Sequence, residues 1–268
     1  MGGHLVDSLV SDGSVTILDD LSTGKYHNEK AKLVKVDLAG KKTTEGLSLD
    51  TGSTFFHLAA NPSVKDSMED IVNHFHGDVT TTLNALELAR KYDAKTFIFT
   101  STSVVYGDAK KIPTPESYPT RPISNYGLFK LMGEHLVEKY SEDYGIKSTV
   151  FRIANVTGGR TSHGVTLDFI NKLKQNKQKL VILGDGNQRK SYVYITDTIN
   201  ALRLAAKKIP NRFRVLNLGS NDYITVKEIA DIICSEMGLS PTYEYDNKFD
   251  GRGWKGDVKI MLLETKRL

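Results

Sequence analysis

Five apolar runs of strand length recur along the first 156 residues, and their apolarity is continuous rather than alternating. Continuous apolarity predicts strands that are buried on both faces, as in a parallel sheet. Helical patterns separate these runs, and the resulting alternation predicts a doubly wound α/β fold. The predicted strands are residues 14–19, 32–37, 54–59, 96–101 and 148–153, and the main helices are residues 78–92 and 126–145, the latter ending at Gly145 as a left-handed cap would.

The pattern becomes less regular after residue 156. A Gly/Thr/Ser-rich loop at 157–164 precedes a predicted helix near 166–176, and three short apolar runs follow. We therefore predict a larger domain over residues 1–156 and a smaller, substrate-covering region over 157–268, in part interleaved with the first. The short predicted strands lie around residues 180–183, 192–195 and 214–218.

Composition excludes several other kinds of protein. A chain of 268 residues, 39% of them hydrophobic, can bury a full core. Its 36 basic and 32 acidic residues are spread along the chain, so nothing indicates a nucleic-acid or membrane surface. Cys234 is the only cysteine, and His74 and His76 lie on different faces of a helix, so we expect no disulfide and no metal site. No long apolar segment or leader occurs, which indicates a cytoplasmic protein.

Asp19 ends the second predicted element, the strand over residues 14–19. In a dinucleotide-binding fold, a carboxylate at this place accepts hydrogen bonds from the adenosine ribose and repels a 2′-phosphate, so Asp19 favours NAD over NADP. The alternative is that Asp19 or Asp20 only begins the turn DDLSTG. Asp37, at the end of the next strand, either faces the adenine or simply ends that strand.

Tyr126 and Lys130 lie four residues apart and therefore share one face of a predicted helix. An ammonium group beside a phenol lowers the pKa of the phenol, which lets tyrosine act as a base near neutral pH. In isolation, an exposed lysine beside a packed tyrosine explains the spacing more simply. The hydroxyl-rich end of strand 96–101 adds weight, because ligands bind at the carboxyl ends of parallel strands. Thr102 can there bond both a substrate hydroxyl and the Tyr126 phenol.

Two segments carry a resemblance to a known family: FIFTSTSVVYGD (97–108) and SNYGLFK (124–130) are similar to the active-site segments of extended short-chain dehydrogenases/reductases, of the UDP-galactose 4-epimerase group. The segments HLVDSLV, ILDDLSTG, FHLAANPSV, DVTTTLNALELA, FRIANVTGG and ILGDGNQRKSYVYITD resemble further parts of the family in the same order. The resemblance implies a Rossmann-like, NAD-binding domain over residues 1–156 and a substrate-binding region over 157–268. It also implies a catalytic triad of Thr102, Tyr126 and Lys130.

The resemblance implies two sets of binding residues as well. Asp78 stands where an asparagine is more usual, and Lys130 is expected to bind the nicotinamide ribose. The implied NAD contacts are Gly2, Asp19, Asp20, Leu21, Ser22, Thr23, Gly24, Asp37, Leu38, Leu58, Ala59, Ala60, Asp78, Thr100, Tyr126 and Lys130. The implied contacts of a nucleotide-diphosphate sugar are Thr102, Asn155, Gln188, Lys190, Tyr192 and Arg252.

By the same resemblance, Tyr126 takes the proton of the sugar 4-hydroxyl while a hydride passes to NAD. The 4-keto sugar turns over and regains the hydride on its other face, which interconverts UDP-glucose and UDP-galactose. Dehydratases and decarboxylases of the family carry an acidic residue just after the triad hydroxyl, where this chain has Ser103 and Val104, so epimerisation is favoured. Two alternatives stay open: a nucleotide-sugar oxidoreductase with exchangeable NAD, and a form with impaired or no cofactor binding.

Several features depart from the family. Its members begin with a strand and a GxxGxxG turn that cradles the pyrophosphate, whereas here a helix is predicted from residue 3 and only Gly2 can match the last glycine. We therefore expect a sheet without its first strand, weak or absent NAD binding, and a shortened C-terminus. Lys190 and Trp254 stand where arginines are more common, with Arg252 as a substitute. The helices 78–92 and 126–145 pair across a two-fold axis in the family, which implies a homodimer.

Overall fold

The elements form over most of their predicted ranges in the computed structural model, which describes residues 1–24, 26–40, 45–161 and 163–268. The helices are α1 Gly2–Leu9, α2 Ile71–Phe75, α3 Thr81–Lys91, α4 Asn125–Tyr144, α5 Val165–Gln175, α6 Ile195–Lys207 and α7 Val226–Met237. The strands are β1 Thr16–Asp19, β2 Lys32–Lys35, β3 Thr54–His57, β4 Thr96–Thr102, β5 Ser148–Ile153, β6 Asn155–Thr157, β7 Lys179–Leu183, β8 Arg189–Lys190, β9 Tyr192–Tyr194, β10 Phe213–Leu218, β11 Ile224–Thr225, β12 Thr242–Asp246 and β13 Ile260–Met261.

The main sheet has four parallel strands in the order β10-β5-β4-β3. Every residue of β4 is buried, as its continuous apolarity predicts. Successive side chains of a strand point to opposite faces, so Phe97 and Phe99 pack with Leu86 and Val137 of α3 and α4. Ile98 packs on the other face, in a cluster with α1 and α6. The sheet is thus covered by helices on both faces, which confirms the predicted α/β class with a parallel sheet.

The strands β1 and β2 pair in parallel but form a separate two-stranded sheet. Among the described residues they make no ladder with β3, which ends the main sheet on this side. The two strands therefore lie outside the four-stranded main sheet.

The later part of the chain contributes to both regions. The helices α5 and α7 pack with β7 and β12 around a cluster that includes Phe169 and Ile233. The short strand β8 pairs with β11 and β13, and β6 pairs with β9. In contrast, β10 belongs to the main sheet and α6 packs on its face, so residues after 156 complete the larger body. The division into residues 1–156 and 157–268 stays a prediction.

The ends of α4 follow from its sequence. The Ser124 side chain accepts a hydrogen bond from the backbone N–H of Gly127, and Gly145 ends the helix in the left-handed conformation at φ 71°. Two threonines also act as N-caps. Thr102 caps a 3₁₀ turn over Ser103–Tyr106, and Thr225 caps helix α7. Among the described residues, we find no helix with the length and apolarity needed to cross a bilayer.

Candidate active site

The three hydroxyl side chains at the carboxyl end of β4 make hydrogen bonds to three different parts of the structure. Thr100 donates to the backbone carbonyl of His57 at 3.2 Å, across to β3. Ser101 donates to the carboxylate of Glu134 on α4. Thr102 accepts from the backbone N–H of Val104 at 3.4 Å and so begins the 3₁₀ turn. This bond uses only an acceptor position of the Thr102 hydroxyl, so its hydrogen can still be offered to a ligand.

The first turn of α4, which carries Tyr126, is held from two sides. The buried Ser67 accepts a bond from the Tyr126 backbone N–H at 3.1 Å, and its carbonyl accepts one from the Asn125 side chain at 2.9 Å. On the other side, a Cβ added to Gly127 would lie 3.1 Å from the carbonyl oxygen of Val104. Glycine therefore lets α4 approach the turn that follows Thr102.

Lys130 is 2% exposed, and its Nζ lies 4.3 Å from the ring centroid of Phe99. Burial lowers the pKa of Lys130 to about 8. The carboxylates of Asp78 and Glu134 act in the opposite direction and raise it, but burial has the larger effect. Burial also raises the pKa of Tyr126, and the Asp78 carboxylate raises it further. The expectation that Lys130 lowers the pKa of Tyr126 is therefore wrong for this arrangement, because burial and a nearby carboxylate dominate.

Asp78 lies on a turn that packs against α4, the helix that carries Tyr126 and Lys130. A π-helical turn over His76–Thr80 carries Asp78, whose Oδ1 accepts the backbone N–H of Asn61 at 3.1 Å. Burial raises the pKa of Asp78 to about 6, although the charge of Lys130 and the bond from Asn61 lower it. The carboxylate thus belongs to the same electrostatic group as Tyr126 and Lys130.

A buried network that the sequence analysis did not predict surrounds Glu134. The Arg152 guanidinium on β5 contacts both Glu134 carboxylate oxygens, and its Nη1 donates to the Tyr106 hydroxyl at 3.0 Å. Tyr106 in turn donates to the Asn217 side chain on β10 at 2.8 Å. The available signal was Arg152 itself, because a charged residue in an otherwise buried strand requires a buried partner.

The predicted ribose-binding turn is closed by its own carboxylates. Asp19 accepts from the backbone N–H of Leu21 at 2.7 Å, and Asp20 accepts from both the N–H and the hydroxyl of Ser22, at 2.9 and 2.7 Å. Leu21 has a positive φ of 61°. These bonds agree with the alternative interpretation, in which Asp19 and Asp20 only form a turn. They use one oxygen of each carboxylate, so the other oxygen can still accept a hydrogen bond. Ser22, Thr23 and Gly24 are exposed.

The other implied NAD contacts differ in accessibility. Asp37 accepts the backbone N–H of Ala39 at 2.8 Å, and Leu38 is buried with its carbonyl bound to Asn84. Leu58 packs against the core cluster on the α6 face, while Ala59 is exposed and Ala60 half-buried. Gly2 begins α1, and a Cβ added to it would meet nothing within 4 Å, so close packing does not require glycine there.

Both cations of the implied diphosphate site are held in ion pairs. Lys190 lies 2.7 Å from Asp257, and these side chains are 15% and 5% exposed. Arg252 makes two bonds to the carboxylate of Asp108, at 3.1 and 2.8 Å. The cations were predicted from the sequence, but their carboxylate partners were not. Each carboxylate therefore competes with a diphosphate for its cation.

The remaining implied substrate contacts are partly used within the fold. Gln188 is 3% exposed and donates to the carbonyl of Leu183 at 2.8 Å. Asn155 is exposed and donates to the carbonyl of Ser191 at 3.2 Å. Burial, followed by the charge of Asp257, raises the pKa of Tyr192 to about 12. In the part of the chain that the structure describes, no cluster of three or more His, Cys, Asp or Glu side chains could hold a metal ion.

Comparison with known proteins places this arrangement in a family. The model of the NAD dependent epimerase/dehydratase family matches residues 1–219. A protein of Methanocaldococcus jannaschii named putative UDP-glucose 4-epimerase is 35% identical over 275 aligned positions, which cover 99% of this chain and 88% of that protein. The crystal structure of a UDP-galactose 4-epimerase is similar with a TM-score of 0.88 and 39% identity, covering 99% of this chain and 86% of the other. The UDP-glucose 4-epimerase of Thermotoga maritima, solved with UDP-glucose, has a TM-score of 0.89 and 32% identity, covering 99% and 87%. This chain therefore belongs to the NAD dependent epimerase/dehydratase family.

Proposed function

We propose that this chain is an NAD-dependent nucleotide-sugar 4-epimerase that interconverts UDP-glucose and UDP-galactose. The proposal rests on Thr102, which ends β4, and on Tyr126 and Lys130 of α4, a helix whose Gly127 comes close to the turn after Thr102. Similarity to proteins named UDP-glucose 4-epimerase supports the choice of sugar nucleotide.

The residues around this edge fit NAD. Asp78 keeps a buried oxygen, Oδ2, that has no protein hydrogen-bond partner among the described residues. Lys130 supplies an ammonium group, and Asp19 ends β1 with a carboxylate that suits ribose hydroxyls. NAD supplies the acceptor, and then the donor, of a hydride. We expect Lys130 and Asp78 to hold its nicotinamide riboside end and Asp19 with Asp20 its adenosine ribose. The affinity for NAD stays a prediction that calorimetric titration would measure.

Proton transfer falls to Tyr126 in this proposal. Its phenolic oxygen takes the proton of the sugar 4-hydroxyl and returns it after the sugar has turned, and Thr102 orients the hydroxyl. Because the pKa of Tyr126 is raised in this arrangement, the phenol needs added positive charge near it before it can act as a base. Val104, in the 3₁₀ turn after Thr102, cannot transfer a proton, and this favours epimerisation over elimination of water.

The substrate diphosphate would bind near Arg252 and Lys190. Arg252 is the more accessible cation, since its side chain is 24% exposed and its partner Asp108 is 46% exposed. The Lys190–Asp257 pair is deeper, and the buried Asp257 also accepts the backbone N–H of Gly253. We therefore expect Arg252 to contact the diphosphate directly and Lys190 to add a field of positive charge.

Exposed apolar side chains support a proposal for the quaternary structure, and the cysteine supports one for the compartment. We propose a homodimer through α3 and α4 in a four-helix bundle, because Leu83 and Leu128 project apolar side chains to the surface. Cys234 is a buried free thiol, which accords with the cytoplasm as the compartment.

Turnover of UDP-galactose tests the function. The purified chain, given NAD and UDP-galactose, should form UDP-glucose without net accumulation of NADH. Tyr126→Phe should slow the reaction by about 10²- to 10⁴-fold, whereas Tyr140→Phe, which removes a hydroxyl further along α4, should not. Accumulation of NADH together with an oxidised sugar would indicate the oxidoreductase instead. Absence of turnover in a protein that demonstrably binds NAD would refute the proposal.

A further inference from the structure

Three buried polar atoms on elements that pack against α4, the helix of Tyr126 and Lys130, have no hydrogen-bond partner in the ranges that the structure describes. They are Oδ2 of Asp78 and both ring nitrogens of His74. Asp78 is 2% exposed and His74 is 1% exposed, so these atoms are removed from bulk water. Most buried polar atoms in proteins are satisfied, and a cluster of unsatisfied ones is a reason to look for a functional role.

The backbone fixes Asp78 in this position. Asp78 lies within the π-helical turn His76–Thr80, between α2 and α3, and such turns often occur at functional sites. Its backbone carbonyl accepts the Thr82 hydroxyl at 2.6 Å, and its Oδ1 accepts the backbone N–H of Asn61. One carboxylate oxygen is therefore anchored, and Oδ2 is left for another partner.

Charged groups reach Asp78 from more than one element. Helix α4 packs against the π-helical turn of Asp78 and carries Tyr126 and Lys130, and the Asp78 charge raises the pKa of both. Glu134, one turn after Lys130, acts on Lys130 as a second carboxylate. From β3, His57 also feels the charge of Lys130, and burial lowers the pKa of His57 to about 3, so this ring is neutral near pH 7.

His74 is the neighbour of Asp78 on the α2 side. Its Nδ1 lies 3.8 Å from Oδ2 of Asp78, which is too long for a hydrogen bond but needs only a small movement to become one. Burial lowers the pKa of His74, although the carboxylates of Asp66 and Asp70 raise it. A neutral imidazole with an unprotonated Nδ1 can accept a proton in a hydrogen bond from a protonated Asp78.

We propose that Asp78 is the internal counter-ion of Lys130 and a positioning residue for proton transfer at Tyr126, with neutral His74 as its hydrogen-bond acceptor when Asp78 is protonated. An ionised Asp78 keeps Lys130 an ammonium group and keeps the proton on the Tyr126 phenol. A protonated Asp78 carries no charge and donates a hydrogen bond to His74, so it no longer acts on Lys130 or Tyr126. The inference rests on the roles proposed for Tyr126 and Lys130, but its test does not need turnover.

Nuclear magnetic resonance of ¹³C-labelled lysine tests the counter-ion directly. The Lys130 signal is assigned by its loss in Lys130→Met, and its titration is followed in the wild type and in Asp78→Asn. We expect Asp78→Asn to lower the Lys130 midpoint by about one pH unit or more. The matched control is Asp70→Asn, which changes a carboxylate at the start of α2 that acts on His74 and keeps a capping side chain. It should leave the Lys130 midpoint unchanged.

An unchanged Lys130 midpoint in folded Asp78→Asn would overturn the proposal. Circular dichroism checks folding, and Asp78→Ser provides the same readout if the asparagine variant does not fold. The role of His74 is tested by ¹³C titration of Asp78 in His74→Leu, which should lower the Asp78 midpoint because the protonated acid loses its acceptor. A midpoint that stays the same or rises would refute that part. Shifted midpoints in a protein without epimerase turnover would retain the counter-ion and reject the proposed function.

Discussion

The Arg152 guanidinium lies 2.7 Å from the Glu134 carboxylate, from Nη2 to Oε2, and these side chains are only 9% and 4% exposed. The same carboxylate accepts the hydroxyl of Ser101, the residue before Thr102 on β4. Because Glu134 also follows Lys130 by one helical turn, the pair ties the strand and the helix of the candidate site to each other.

Removing one partner of this pair should be strongly destabilising. Glu134→Gln leaves the Arg152 charge buried without its carboxylate, and we expect the free energy of unfolding to fall by about 3–5 kcal/mol. Urea unfolding followed by circular dichroism measures this. Lys139→Gln is the control, because it breaks a solvent-exposed pair with Asp143 on the same helix and should cost less than about 1 kcal/mol.

The double variant Glu134→Leu with Arg152→Met measures how far the stabilising effect of each side chain depends on the other. Its loss of stability should be well below the sum of the two single changes, because neither charge is then left alone. Additive losses would show that the two side chains stabilise the fold independently.

The sequence predicts the elements that carry the site better than the contacts between them. Continuous apolarity was sufficient for β4, and the left-handed Gly145 was sufficient for the end of α4, because these signals are local. The spacing of Tyr126 and Lys130 placed both on one helix face for the same reason. Glu134 as the partner of Arg152 could not be predicted, since it depends on how α4 packs against the sheet.

The electrostatics of the site were predicted less well. The pairing of Arg252 with Asp108 joins residues 144 positions apart, and no local pattern indicates it. The direction of the Tyr126 pKa shift was wrong because Lys130 was considered without the burial of the phenol and without Asp78, which lies on a π-helical turn. That turn adds a residue to the helical repeat, so a regular helix predicted over 78–92 does not reveal where Asp78 points.

Acid should destabilise the protein partly through His57. Burial, and then the charge of Lys130, lower the pKa of His57 from 6.5 to about 3. The unfolded state therefore binds the proton more tightly, and the stabilisation present above pH 6.5 is lost as the pH falls towards 3. Between pH 7 and pH 4.5 this loss amounts to about 3 kcal/mol.

Urea unfolding at several pH values measures the His57 contribution. His57→Gln should remove this part of the pH dependence, whereas His135→Gln, at a site that is 69% exposed, should not. Asp78 acts in the opposite direction. Its pKa is raised from 3.8 to about 6, so its contribution to stability decreases as the pH rises through that interval. A pH dependence of the unfolding free energy that is the same in the wild type and in His57→Gln would contradict the role assigned to His57.

The Asp108–Arg252 pair should compete with a diphosphate ligand. Asp108→Asn removes the carboxylate that occupies the guanidinium, and we expect the affinity for UDP to rise by up to about fivefold, since partly exposed pairs are worth at most ~1 kcal/mol. Arg252→Ala should weaken UDP binding. Isothermal titration with UDP measures both. Asp143→Asn, which removes a partly exposed partner of Lys139 on α4, is the control. A weaker affinity in Asp108→Asn would contradict the competition.

Apolar side chains of α3 and α4 should form the dimer interface. Leu83 on α3 is 38% exposed and Leu128 on α4 is 43% exposed, and exposed apolar side chains on these two helices favour contact with a second copy. Leu128→Glu would bury a charge in that interface without a partner, so we expect it to convert a dimer to a monomer in sedimentation velocity. Leu204→Glu is a matched control, because Leu204 is also 43% exposed but lies on α6. A wild type that is monomeric at every concentration, or a dimer that Leu204→Glu disrupts equally, would refute the interface.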